Sequence, residues 1–108
     1  AGYYNEHLPN VELIKPYVAN NVKHVFHQYV IRHESRDLLQ KRLKAFGIIT
    51  LIHYSKPIHR QQAFSNKEYS PFNLKWTDAI CKEILSLPIY PELSKGSLDL
   101  VSKVIEEI

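Results

Sequence analysis

The run Gly47-Ile48-Ile49-Thr50-Leu51-Ile52-His53-Tyr54 decides the architecture. It joins a helix terminator to a block of β-prone residues. The block is apolar on both faces until His53, which predicts a strand at the centre of its sheet. Working back from Gly47, Leu38, Leu39, Leu43 and Phe46 share one helical face. Ser35 stands at the N-cap position, Asp37 suits the first turn, and Gly47 is the expected C′ residue. Further back, His24-Val25-Phe26-His27-Gln28-Tyr29-Val30-Ile31-Arg32 reads as another strand. Val11 to Ile14 is a short apolar run stopped by Lys15-Pro16, and residues 1–9 read as a frayed helix end closed by Pro9.

Working forward, a proline-bearing loop is expected from Ser55 to about Pro71. Trp76, Ala79, Ile80, Ile84 and Leu87 then fall on one side of a helix ended by Pro88. Ser94 can cap a last helix, whose Leu98, Val101, Ile105 and Ile108 recur at helical spacing. The order predicts an α+β (α/β) sandwich with helices packed on a short sheet.

Composition narrows the function. The 108 residues make one domain, 1–108, large enough for one modest core and too short for a two-domain enzyme. The chain contains no methionine and opens on Ala1, which predicts an excised piece of a longer protein. At 44% apolar and 23% charged it is globular. Its longest uncharged apolar stretch, Phe46 to Ile52, is far short of the ~20 residues that span a membrane. The lone Cys81 rules out an internal disulfide framework and suits a reducing compartment, so the cytoplasm is expected. The net charge of +3 is unevenly spread. From Leu38 to Lys67 there is no acid, while Lys41, Arg42, Lys44, Lys56, Arg60 and Lys67 are basic. Such a field attracts anions, although a solvated helix face followed by a basic loop gives the same pattern.

Few residues offer chemistry of their own. His24 and His27, three apart on a strand, would face opposite ways, and no Cys pair or helical His-x-x-x-His accompanies them, so no metal site is expected. His24 is expected to end its strand, and His27 to be hydrogen-bonded and half-buried. Cys81, on the apolar side of a helix, reads as a packed, inert thiol. Ser86 lacks a nucleophile elbow, and Gly2, Gly47 and Gly96 build no phosphate loop. His53, at a strand end, and His59, in the loop after Pro57, are better placed, because ligand-contacting groups gather at such positions. Tyr54 and Arg60 flank them with a hydroxyl and a planar cation suited to phosphate or sugar oxygens. The structural alternative is that His53 caps a neighbouring carbonyl and Tyr54 packs.

Gly47-Ile48, Thr50, His53-Tyr54, Pro57, His59, Gln61 and Ala63-Phe64, followed by Leu85-Ser86-Leu87-Pro88 and Tyr90-Pro91-Glu92-Leu93, resemble the C-terminal small domain of the DegT-type sugar aminotransferases. The His24–Arg32 run, Arg36-Asp37-Leu38 and Tyr3-Tyr4 to Leu8 extend the resemblance almost end to end. Ile49 and Ser55 stand where many relatives carry Gly and Pro, and Asp78 stands where Glu is usual.

The resemblance implies the small domain of the aspartate-aminotransferase-like fold, with a mostly antiparallel sheet. It also implies a parent enzyme using pyridoxal 5'-phosphate to move an amino group from an amino acid, commonly glutamate, to a keto-sugar nucleotide. In such enzymes the Schiff-base lysine and the groups around the cofactor ring belong to the large domain. None of the ten lysines here takes that role, so this chain is expected to have no catalytic residue and to bind no cofactor alone. His53, Tyr54, His59 and Arg60 are the expected substrate-binding residues. The parent is expected to be a homodimer with no nucleic-acid or membrane partner. A sugar dehydratase of the same family, a regulatory or interaction domain of the same fold, and a basic anion- or nucleic-acid-binding module are the alternatives.

Overall fold

Two short strands carry the sheet: β1 is Tyr29–Arg32 and β2 is Ile84–Leu87. They pair antiparallel, with Tyr29 opposite Leu87 and Arg32 opposite Ile84. The computed structural model describes residues 1–10, 12–64 and 73–107. A single antiparallel bridge widens the sheet on each side, Ile14 to Arg32 beyond β1 and Leu51 to Ser86 beyond β2. Residues opposite one another in register share a face. Tyr29, Ile31, Leu85 and Leu87 therefore lie together on one face, and all four belong to the buried core.

Among the described residues four α-helices accompany this sheet: α1 (Gly2–His7), α2 (Arg36–Ala45), α3 (Lys75–Glu83) and α4 (Lys95–Glu106). Leu39 and Leu43 of α2, and Val101, Val104 and Ile105 of α4, complete the core with Tyr4, Leu8, Leu13 and Ile48. The expected α+β architecture, helices on a short antiparallel sheet, is the one observed. Its helix signals act as read at two places. Gly47, at φ 76°, ends α2, with its N–H on the Lys44 carbonyl and the Ile48 N–H on the Leu43 carbonyl. Ser94 caps α4 by accepting from the Ser97 N–H at 3.1 Å. Ser35 holds the N-cap position of α2 without capping, since its side chain makes no cap bond and its N–H donates to His33 Nδ1.

Several expectations are corrected. The helix expected to run to Leu87 stops at Glu83, and Ile84–Leu87 is β2. All four of its residues are buried because β1 and Leu51 flank it on either side, so the central strand is β2. Arg36 fixes this junction by donating to the Ile84 carbonyl at 3.0 Å. Trp76, placed on the packed side by spacing, is 80% exposed. The Ile48–Tyr54 run is an extended outer segment, with Ile48 and Thr50 buried and Ile49 77% exposed. On α2, Leu38 and Phe46 are likewise exposed, leaving Leu39 and Leu43 to pack.

The strand expected from His24 begins only at Tyr29. Phe26 has φ 49°, a left-handed conformation that breaks an extended run, and its N–H donates to His24 Nδ1 at 2.8 Å. Val25 and His27 are exposed as a result, and His24 does not end a strand. Of the Val11–Ile14 run, Ile14 makes the bridge to Arg32, and Val11 lies outside the described residues. Ile108 and the expected loop from residue 65 on also lie outside them, and the part before that forms two 3₁₀ turns, Ile58–Arg60 and Gln62–Phe64. The N-terminal helix is stitched down. Tyr4 is fully buried and donates to the Pro88 carbonyl at 2.8 Å, while Lys15 donates to the Asn5 and Leu8 carbonyls.

Candidate functional site

The side of the sheet away from the core presents Val30 and Ser86, and there the outer segment turns towards α3. His53 Nδ1 lies 2.9 Å from the Ser86 hydroxyl, which ties the end of that segment to the central strand. The next peptide, His53–Tyr54, is cis, and the two rings meet edge to face at 5.6 Å. Beyond this tie the chain leaves the sheet, and the Pro57 turn carries it past α3. A cleft of about 520 Å³ opens between the two. Tyr54, Pro57, Ile58 and Phe64 form one wall, and Leu74, Thr77 and Cys81 form the other. Lys56, His59 and Gln61 add polar groups to an otherwise apolar lining.

One carboxylate organises the polar groups beside the cleft. Asp78, in the first turn of α3, lies 3.0 Å from His59 Nε2 through Oδ1. The same side chain takes Arg60 as a fork, Nε to Oδ1 at 3.2 Å and Nη2 to Oδ2 at 2.8 Å. The Arg60 hydrogen bonds hold the Asp78 carboxyl below its ordinary value, with burial opposing and the charges of Arg60 and His59 assisting. Reciprocally, Asp78 raises the Arg60 guanidinium. The His59 side chain is largely buried, whereas that of Arg60 is 57% exposed.

The four residues singled out from sequence thus separate. Tyr54 and His59 line the cleft, Arg60 is anchored beside it through Asp78, and His53 turns to Ser86. Cys81, expected to be packed, is half-exposed and lines the cleft. Asp78 is the participant that sequence reasoning passed over, noted only as a substitution for Glu. The available signal was an acid at a helix start just beyond an acid-free basic stretch. Among the described residues no three His, Cys, Asp or Glu side chains gather as metal ligands.

Residues 1–107 match the DegT/DnrJ/EryC1/StrS aminotransferase family. The chain belongs to this family. A pleiotropic regulatory protein of Geobacillus stearothermophilus is 39% identical over 95 residues, covering 88% of this chain and 26% of that one. The dTDP-3-amino-3,6-dideoxy-alpha-D-galactopyranose transaminase of Aneurinibacillus thermoaerophilus is 36% identical over 105 residues, 97% of this chain and 28% of that enzyme. The crystal structure of S. venezuelae DesV in complex with a ketimine intermediate superposes with a TM-score of 0.88 at 30% identity, covering 97% of this chain and 28% of that one. The chain therefore spans about a quarter of the length of these family members.

The family is one of pyridoxal-phosphate-dependent aminotransferases. The cofactor needs an amine for its aldehyde, a carboxylate for its ring nitrogen and a cradle for its phosphate. In the described cleft Lys56 offers an amine, but Asp78 is engaged by Arg60 and His59. No glycine lies near enough to build a phosphate loop, since Gly2, Gly47 and Gly96 all belong to other parts of the chain. These residues do not fit the cofactor. Among the described residues no helix is long and apolar enough to cross a membrane.

Proposed function

We propose that residues 1–108 form the small domain of a larger homodimeric, cytoplasmic aminotransferase acting on a keto-sugar nucleotide, with pyridoxal phosphate held outside this chain. Glutamate is the expected amino donor, and this domain has no activity alone. The carrying observation is the cleft in which Tyr54 and His59 meet the acid-free basic stretch. A diphosphate-bearing sugar presents two anionic groups and an apolar or aromatic base. Lys56 and the exposed part of Arg60 supply positive charge, while Tyr54, Ile58 and Phe64 supply flat apolar surface. His59 contributes a ring nitrogen held at a fixed place. His53 acts one step back, because its bond to Ser86 sets where Tyr54 begins. Nucleic acid and membrane are not expected partners.

The test is to incubate the full-length protein with glutamate and a keto-sugar nucleotide and to follow 2-oxoglutarate. Transamination is expected, and His59→Ala should raise KM for the sugar nucleotide about tenfold, the scale of one lost hydrogen bond to a charged group. Loss of water from the sugar without amination would instead identify a dehydratase. A second reading, a regulatory domain of the same fold, draws on the name of the Geobacillus stearothermophilus relative. Failure to turn over any keto-sugar nucleotide would favour it.

A further inference from the structure

His59, which lines the cleft, and Arg60 beside it have one neighbour in common. Asp78 accepts from His59 on one oxygen and from Arg60 on both, although these residues come from a 3₁₀ turn about twenty positions earlier. Surface ion pairs contribute little as a rule, but this one has the planar fork geometry that fixes orientation. Its histidine side chain is only 12% exposed and its carboxylate 24%. An ionised carboxylate can only accept, so the His59 nitrogen facing it must carry the proton. That makes Nδ1 the nitrogen turned away from Asp78 on a side chain that lines the cleft. The same carboxylate holds the Arg60 guanidinium plane, so cation and imidazole keep a constant separation.

We infer that Asp78 is a positioning residue that presents His59 and Arg60 to the sugar nucleotide as one rigid unit. The inference rests on the function proposed above. It goes further, because it assigns a role to a residue that does not line the cleft, and it predicts how that residue fails. Without Asp78, His59 can rotate or change tautomer and Arg60 swings free. Binding then weakens without loss of any group that touches substrate.

The test uses the full-length protein. Asp78→Ala is expected to raise KM for the sugar nucleotide about tenfold with kcat changed less than twofold, and Asp78→Glu is expected to restore most of it. In a His59→Ala background, the same Asp78→Ala change should add less than about threefold, since its effect passes partly through His59. Independently of turnover, nitrogen-15 NMR of the wild-type protein should show a slowly exchanging proton on His59 Nε2. That proton should be lost in Asp78→Ala and regained in Asp78→Glu. Unchanged KM, full additivity with His59→Ala, or a wild-type His59 protonated at Nδ1 alone would each overturn the inference. A protein that transaminates nothing would overturn the proposed function, while the His59 ring nitrogens would still decide the role of Asp78. Should Asp78→Ala fail to fold, the wild-type and Asp78→Glu spectra decide it.

Discussion

The two sides of the sheet are held by different physics. On the inner side Tyr29, Ile31, Leu85 and Leu87 meet Leu39, Leu43, Val101 and Val104, all buried, with almost no polar contact among their side chains. On the outer side the contacts are discrete: His53 to Ser86, Asp78 to His59 and Arg60, Arg32 to Glu83, and Arg36 to the α3–β2 junction. Apolar packing is dense and non-directional, so it fixes where elements lie but says little about the angle of a side chain. Directional bonds do the reverse. A binding cleft needs the second kind of control, and here it lies on the face where packing is thin.

This contrast can be broken by substitution on either side. The largest expected effect is on the packed face. Leu85→Ala removes a fully buried side chain and should cost about 2–5 kcal/mol in denaturant unfolding, with little change in sugar-nucleotide KM for the molecules that remain folded. Next comes Arg36→Ala, which strips the Ile84 carbonyl of its donor where α3 becomes β2. It should cost about 1–3 kcal/mol and, unlike Leu85→Ala, should loosen the cleft wall that carries Asp78. Equal effects of the two on KM would show that the two faces are not separate.

The smallest effect is read by pH, and the faces should fail at opposite ends of the scale. Burial raises Tyr4 and Tyr29 from 10.0 to about 12. A raised phenol stabilises the fold fully below pH 10, and that contribution is lost as pH climbs from 10 towards 12. Tyr4→Phe should flatten its part of this alkaline slope. Asp78 is depressed, so its contribution is present above the ordinary aspartate range and disappears as pH falls through its lower folded value. Unfolding midpoints followed across both limbs, with Asp78→Ala altering only the acid limb, would sharpen the distinction.

What could be read in the sequence follows the same line. Gly47, Ser94 and the Leu98, Val101 and Ile105 part of the α4 stripe are local signals, and each operates where spacing places it. Ile80, Ile84 and Leu87 satisfy a helical period, yet the last two are in a strand, because what decides them is pairing with residues 29–32. No local pattern carries that information. The Ile48–Tyr54 run looked buried on both faces because its composition is apolar throughout, and nothing in it shows that β2 takes the central place. Within the cleft, Tyr54 was visible at a strand end and His59 in the basic loop after it. Asp78 was not, since its partners are reached through the fold.

The register Tyr29↔Leu87 also has a consequence in time. Closing some fifty residues of intervening chain costs roughly 3–4 kcal/mol of loop entropy before the first pair of the ladder can repay it. The inner face of β1 therefore has no strand beside it until Leu87 exists. During synthesis Tyr29 can meet only earlier residues such as Tyr4 and Phe26, and its strand partner is made 58 positions later. Assembly of the core is gated by the last third of the sequence, and the cleft residues from Tyr54 to Phe64 are made before the strand that gives them a side of the sheet to sit on.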